Sequence, residues 1–393
     1  MQTRTVIPAA LLLSAVALPQ ALQADGAFYG DPPDATHPWA IHDDNRPQPP
    51  RVEPGTYSTQ EQPGKPPSDA VILFDGTEAS LGRWVSDKNP GEPTKWVVKD
   101  GTFQCVPGSG YVRTKEEMGD MQLHIEWSAP AKVEGHSQGR GNSGIFPMGM
   151  VEVQVLDNYN NPTYADGFAG SVYGINPPMA NALNAPGTWQ VCDIVFRRPL
   201  FDGDKEIDPG SLTVFINGVL VQQDTAIEGG GGHRGRSKPR AFPEKGPLKL
   251  QDHGNPVRYR NIWYRPLPKR AAEGGDTSHM SEEATAKKKA EIAQGIRQDA
   301  ASKSGLDQTL RLAESLCYAP HDEALASVTA ATNTFAESIQ NTAKDQLEGK
   351  KGDIMRVHNA LEYLAKFKLI PAPLPAQAAL KSVISAQEWD KKK

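Results

Sequence analysis

The sequence predicts a mainly β protein: an antiparallel sandwich or jelly roll, followed by an all-α C-terminal region. Three observations carry this. Between Ala70 and Pro268 the chain is a succession of short β-rich runs divided by turns, with no helical period between them. Two of those turns, Asp100-Gly101 and Asn217-Gly218, are dipeptides that favour tight hairpins. After Gly275 the composition changes to Ala, Lys, Glu and Gln, and Gly and Pro become rare until Pro371.

The elements follow in order. Met1-Gln-Thr-Arg4, the apolar run Val6–Leu22 and Ala24 before Asp25 describe a secretory signal peptide over residues 1–24, and so an exported, periplasmic or extracellular protein. Pro8 and Pro19 interrupt the run, so no membrane span is expected in the mature chain. Residues 25–67 are rich in Pro and read as an extended linker. The sandwich is expected over residues 68–268. Its strands are 71–74, 96–98, 102–106, 111–114, 122–128, 144–148, 151–157, 171–173, 189–196, 212–216, 219–223, 248–252 and 257–264. Over residues 276–393, helices fit Ser281–Ser302, Leu306–Cys317, His321–Thr342, Asp353–Phe367 and Ala376–Trp389. This helical region is a candidate to contact a partner that the sequence does not name.

The chain has 393 residues and a net charge of −5, which gives no reason to expect nucleic acid as a ligand. Its cysteines are Cys105, Cys192 and Cys317, an odd number for an exported protein. Cys105 and Cys192 fall in strands of one domain, and pairing and burial as free thiols both stay open. No zinc-type Cys/His spacing occurs.

Polar residues inside apolar strands mark candidate sites. In Val151-Glu152-Val153-Gln154-Val155, period two puts Glu152 and Gln154 on one face and the valines on the other. The same division puts His124 and Glu126 opposite Leu123, Ile125 and Trp127. Two such strands side by side would line a groove with two carboxylates, although the wet face of an ordinary antiparallel sheet gives the same pattern. A second polar strand, Leu250-Gln251-Asp252-His253, puts Gln251 and His253 on one face, and Arg258 and Arg260 share a face of the next. The loop before Asn142-Ser143-Gly144 is built of residues that tolerate left-handed backbone and can aim amides at a ligand. The run Gly229–Arg236 reads as a mobile basic loop near the mouth of a site and lacks the phosphate-loop pattern.

These segments together resemble one family. Leu73-Phe-Asp-Gly76, Trp96-Val-Val-Lys-Asp-Gly101, Asn142-Ser-Gly-Ile145, Val151–Asp157, Gly170-Ser-Val-Tyr173-Gly174, Trp189, Asn217-Gly218 and Leu250-Gln-Asp-His253 through Ile262 are similar to the 3-keto-disaccharide hydrolase domain, over roughly residues 70–265. The resemblance implies a concanavalin-like jelly roll and cleavage of glycosides oxidised to a ketone at C3. The expected partner is an oxidised glycoside or oligosaccharide. Such a ketone acidifies the C2 hydrogen, so the reaction needs a base beside C2 and a cradle for the enolate oxygen. Glu152, His253 and Glu126 are candidate bases. Asn142, Gln154, Asp157, Tyr173, Gln251, Arg258 and Arg260 are candidate substrate contacts, and a divalent cation is compatible with this chemistry.

Two other readings remain. A retaining glycosidase could use Glu152 and Asp157, but only if a β-bulge brings them to one face, and Gln154 stands where the glucanase strand motif has an acid. A non-catalytic sugar-binding module could use Tyr159, Tyr164, Tyr173 and Trp189 as platforms.

Overall fold

The computed structural model describes residues 28–276 and 279–390; the signal-peptide expectation falls outside them. The chain divides into two compact units. One spans Pro50–Pro268, and the other combines residues 28–49 with the described residues from Lys269 onward.

The first unit is an antiparallel, concanavalin-like sandwich. Its strands are β1 Val71–Phe74, β2 Trp84–Ser86, β3 Val97–Lys99, β4 Thr102–Gln104, β5 Val112–Met118, β6 Met121–Ser128, β7 Ser143–Phe146 and β8 Val153–Val155. They continue with β9 Gln190–Arg197, β10 Leu200–Asp202, β11 Lys205–Asp208, β12 Ser211–Ile216, β13 Val219–Ala226, β14 Gly246–Leu250 and β15 Arg258–Pro266. One sheet runs β13-β12-β9-β6-β15-β4-β3, with β1 also on β15; the other runs β2-β5-β14-β7-β8, and β10 and β11 pair separately. Leu123, Ile125 and Trp127 face Ile145, Val153, Val155, Leu248 and Leu250 across a core from which water is excluded. The Tyr259 hydroxyl spans that core, donating to Ser143 Oγ at 2.6 Å, and Ser143 Oγ donates to the Gln251 carbonyl at 2.5 Å.

Both hairpin dipeptides adopt the left-handed backbone that their turns require: Asp100 and Gly101 have φ of 51° and 69°, Asn217 and Gly218 of 51° and 78°. Several strands are shorter than expected. The run around Glu152 is strand only over Val153–Val155, and β14 ends at Leu250, so residues 251–257 form a loop instead of a second polar strand. Ser171–Tyr173 contributes isolated bridges at Val172. The three- and four-residue strands β2, β10 and β11 had no sequence signal, because runs that short carry too little periodicity.

The Pro-rich segment is not a free linker. Residues 50–67 form a strap on the outer face of the larger sheet, closed on itself by Thr56 N to the Lys65 carbonyl at 2.9 Å and Thr59 N to the Gln62 carbonyl at 2.8 Å. Residues 28–49 join the helical unit, where the Asp43 carboxylate accepts from the Tyr318 hydroxyl and from Ala40 N.

The helical unit contains α2 Glu282–Ala301, α3 Gly305–Ser315, α4 Asp322–Gln340, α5 Lys351–Lys366 and α6 Pro375–Ala386; α1, Glu78–Leu81, belongs to the sandwich. Ile296, Val328, Ile354, Leu361, Leu364 and Leu380 build its separate core. No helix among the described residues is long and apolar enough to cross a membrane. All three cysteines are free and buried.

Candidate active site on the outer face of the smaller sheet

The sandwich has two outward faces, and the sequence-predicted residues divide between them. On the smaller sheet, β7 and β8 pair in regular register, Gly144 opposite Gln154 and Ile145 opposite Val153. Val153 and Val155 therefore enter the core, and Glu152 and Gln154 point outward. Gln251 borders the same spot from the other side, its backbone N donating to the Gly144 carbonyl at 3.0 Å. Gly144 is the floor between them: a Cβ there would lie 2.3 Å from Glu152 Oε1 and 2.8 Å from Phe146 Cε2. Lys249 and Arg113 sit opposite each other in register on β14 and β5, each beside a carboxylate: Lys249 Nζ is 3.1 Å from Asp87 and the Arg113 guanidinium 3.7 Å from Glu117.

The half-buried Glu152 carboxylate has no hydrogen-bond or ion-pair partner among the described residues, and burial alone raises its pKa to about 8. Beside it, Gln154 and Gln251 are 2% and 8% exposed. Gln154 Nε2 donates to Gln138 Oε1 at 2.9 Å and Gln251 Nε2 to the Tyr111 hydroxyl at 2.7 Å, while the Oε1 of each is buried without a donor. A buried acceptor without a donor calls for a partner, and a bound water or a ligand group can supply it. Tyr173, whose backbone N donates to the Glu152 carbonyl at 3.0 Å, carries its hydroxyl to Tyr164 at 2.7 Å and His233 Nδ1 at 3.2 Å. In the Gly-rich run the first part packs closely, and a Cβ on Gly231 would lie 1.7 Å from the Tyr173 carbonyl oxygen, whereas His233–Arg236 are exposed. Tyr111, Gln138, Lys249 and Arg113 were not singled out from sequence. Only the alternation around Lys249 and the polar loop around Gln138 hinted at them.

The remaining predicted residues lie elsewhere. Strand β6 belongs to the other sheet, so Glu126 and Glu152 do not share a groove. Glu126 is fully buried on the outer face of the larger sheet. It accepts from Arg260 Nε at 2.8 Å, Asn261 Nδ2 at 2.8 Å and Ser58 Oγ of the strap at 2.6 Å. Burial works against its charge, but the hydrogen bonds from His124, Ser58 and Asn261, with the Arg260 charge, outweigh it and lower the pKa to about 2. His124 is stacked on Trp263 and lies 2.7 Å from Asp193 Oδ1. Burial opposes its charge, but Asp193 and Glu126 outweigh that and raise its pKa to about 9. Arg260 also donates to the Thr59 and Gln60 carbonyls, which clamps the strap. Arg258 and Arg260 both lie over the Trp189 ring and, with Asn261, line a cavity of about 630 Å³ beneath the strap.

Asp157 lies beyond the end of β8, and its carboxylate is held by Arg140 Nε at 2.6 Å and the Tyr159 amide at 3.1 Å. Asn142 is 3% exposed and donates to the Gln138 carbonyl at 2.7 Å, which makes it a support for the site. His253 is exposed in the turn after β14, and its imidazole makes no hydrogen bond among the described residues. A hard cation on the smaller-sheet face could draw on the Glu152 carboxylate and the two free amide oxygens. No cluster of three or more His, Cys, Asp or Glu side chains suited to a metal occurs among the described residues. The helical unit holds a larger cavity, of about 1200 Å³, whose lining includes the ion pairs of Arg311 with Asp299 and Arg356 with Asp307.

A family model described as a 3-keto-alpha-glucoside-1,2-lyase-like domain matches residues 69–265. A provisionally assigned glycosyl hydrolase from Parabacteroides distasonis ATCC 8503 is 42% identical over 56% of this chain and 93% of that one, with a TM-score of 0.53. Two further provisionally assigned glycosyl hydrolases from the same organism are 19% and 21% identical, covering 51% and 50% of this chain and 94% and 99% of theirs, with TM-scores of 0.36 and 0.37. No curated protein matches.

Proposed function

Because the chain belongs to the 3-keto-alpha-glucoside-1,2-lyase-like family, we propose that it is a carbohydrate-active enzyme that cleaves 3-keto-glycosides by elimination, with Glu152 as the base. The observation that carries this is the isolation of Glu152. Of the three carboxylates singled out in the sequence, Glu126 is taken up by Arg260 and Asp157 by Arg140, while Glu152 stands unpaired on a face with unfilled acceptors.

Glu152 removes the C2 proton, and the C2–H electron pair moves into a C2–C3 double bond as the C3 oxygen becomes an enolate. The enolate then re-forms the ketone and pushes out the C1 oxygen substituent, which leaves with a proton, so that C1 and C2 are joined by a double bond. Addition of water, oxygen to C1 and hydrogen to C2, makes the net result hydrolysis. Lys249 and Arg113, paired with Asp87 and Glu117, are the cations this face offers the enolate oxygen, and Tyr173 and Gln251 supply polar contacts to the sugar. A base with a pKa near the working pH combines a large unprotonated fraction with useful driving force.

A retaining glycosidase needs a second free carboxylate ~5 Å from the first, and the ion pair of Asp157 with Arg140 speaks against Asp157 in that role. The test is to incubate the full chain with a glucoside and its 3-keto form, with and without chelator. Loss of the keto form alone supports the proposal. Equal cleavage of the unoxidised glucoside, or binding of both without turnover, contradicts it.

A further inference from the structure

The orphan oxygen of Gln154 has a polarity that its surroundings dictate. Gln138 Nε2 donates to the Gly167 carbonyl at 2.9 Å and reaches Thr163 Oγ1 at 3.1 Å. A backbone carbonyl only accepts, so the Gln138 amide nitrogen must face it, and Gln138 Oε1 must face Gln154. Gln154 can then only donate through Nε2, and its Oε1 is the atom left without a partner on the strand face it shares with Glu152. That oxygen is buried, without a donor, on a residue that is 2% exposed.

We propose that Gln154 is a specificity-determining acceptor for one free hydroxyl of the sugar bound beside Glu152, and that Gln138 is the positioning residue that locks it in the accepting orientation. The proposal rests on the reading of Glu152 as the base and narrows the substrate class to 3-keto-glycosides that keep a hydroxyl donor at that ring position. An analogue without the hydroxyl leaves the buried oxygen unfilled. One with fluorine in its place sets an acceptor against an acceptor. Both are rejected, since a site built around a substrate hydroxyl discriminates far more strongly than an apolar pocket does. Gln251 does not share this property, because its partner, the Tyr111 hydroxyl, can donate or accept and so leaves the amide free to turn.

The experiment measures kcat/KM of the full chain on a 3-keto glucoside and on its 4-deoxy, 6-deoxy, 4-deoxy-4-fluoro and 6-deoxy-6-fluoro analogues. The wild type is expected to reject the deoxy and fluoro analogues of one position by ~100-fold or more. In Gln154→Leu the rate on the parent falls and the ratio to the deoxy analogue collapses toward one. In Gln138→Leu the amide of Gln154 can turn its Nε2 to the sugar, so the fluoro analogue gains relative to the deoxy one. A role for Gln138 in stability alone would lower all rates together. Turnover of the parent with every analogue within about threefold of it overturns the acceptor assignment and leaves the base assignment standing. Absence of turnover of the parent overturns both.

Discussion

At the scale of single residues, the account turns on what surrounds each carboxylate. Glu152, Glu126 and Asp157 look alike in sequence, yet one carries a pKa near 8, another near 2, and the third is held in an ion pair. Cleavage should therefore rise with pH through about 8 as Glu152 ionises, in a profile of kcat/KM against pH. Its stability effect has a definite sign. The folded pKa lies above the ordinary 4.5, so the unfolded chain loses this proton first and stability falls as pH rises from about 4.5 to about 8. Glu152→Gln removes that fall and should stabilise the protein above pH 8 by about 1–4 kcal/mol in chemical denaturation, at ~1.4 kcal/mol per unit. Gly144→Ala tests the floor: its Cβ meets the Glu152 carboxylate, so activity should drop at least ~10-fold with little change in Tm. His253→Ala should retain activity within about threefold, as fits an exposed turn residue with no partner at the site. The face shared by Glu152 and Gln154 was legible because strand alternation is local. The pairing of Gln138 with Gly167 was not, since it joins residues 29 apart.

At the scale of elements, the legible parts were those set by nearby residues. Asn217-Gly218 and Asp100-Gly101 announce their hairpins because the turn depends on its own φ angles. The sheet that β6 joins depends on its pairing with β9 and β15, which no window of sequence contains, so alternation alone leaves open whether Glu126 and Glu152 share a groove. The strap has no periodicity, so its sequence resembles a linker. It is held instead by Ser58, Thr59 and Gln60 against Glu126, Arg260 and the Trp189 backbone. Glu126→Ala leaves Arg260 buried without its counter-charge and should cost about 3–5 kcal/mol in denaturation, while the activity of the folded fraction persists. His124 adds a pH window: its folded pKa lies above the ordinary 6.5, so its stabilisation is complete below about 6.5 and is lost as pH rises through about 9. His124→Gln should abolish that segment of the stability profile.

At the scale of the whole molecule, the sandwich uses its two outward faces differently. One is closed by its own N-terminal strap over a paired charge network, and the other carries an unpaired carboxylate beside acceptors that lack donors. The division into β and α units was legible from composition. The allocation of residues 28–49 to one unit and 50–67 to the other was not, because Pro-rich sequence does not reveal which surface it lies on. The central claim is that Glu152 takes the C2 proton of a 3-keto-glycoside, and the most direct measurement follows the C2 hydrogen during turnover in deuterated water, against an enzyme-free control. The account predicts that the wild type yields keto-sugar carrying deuterium at C2 and that Glu152→Gln neither exchanges this position nor cleaves the bond. Product that keeps its original C2 hydrogen, or exchange undiminished in Glu152→Gln, would contradict it.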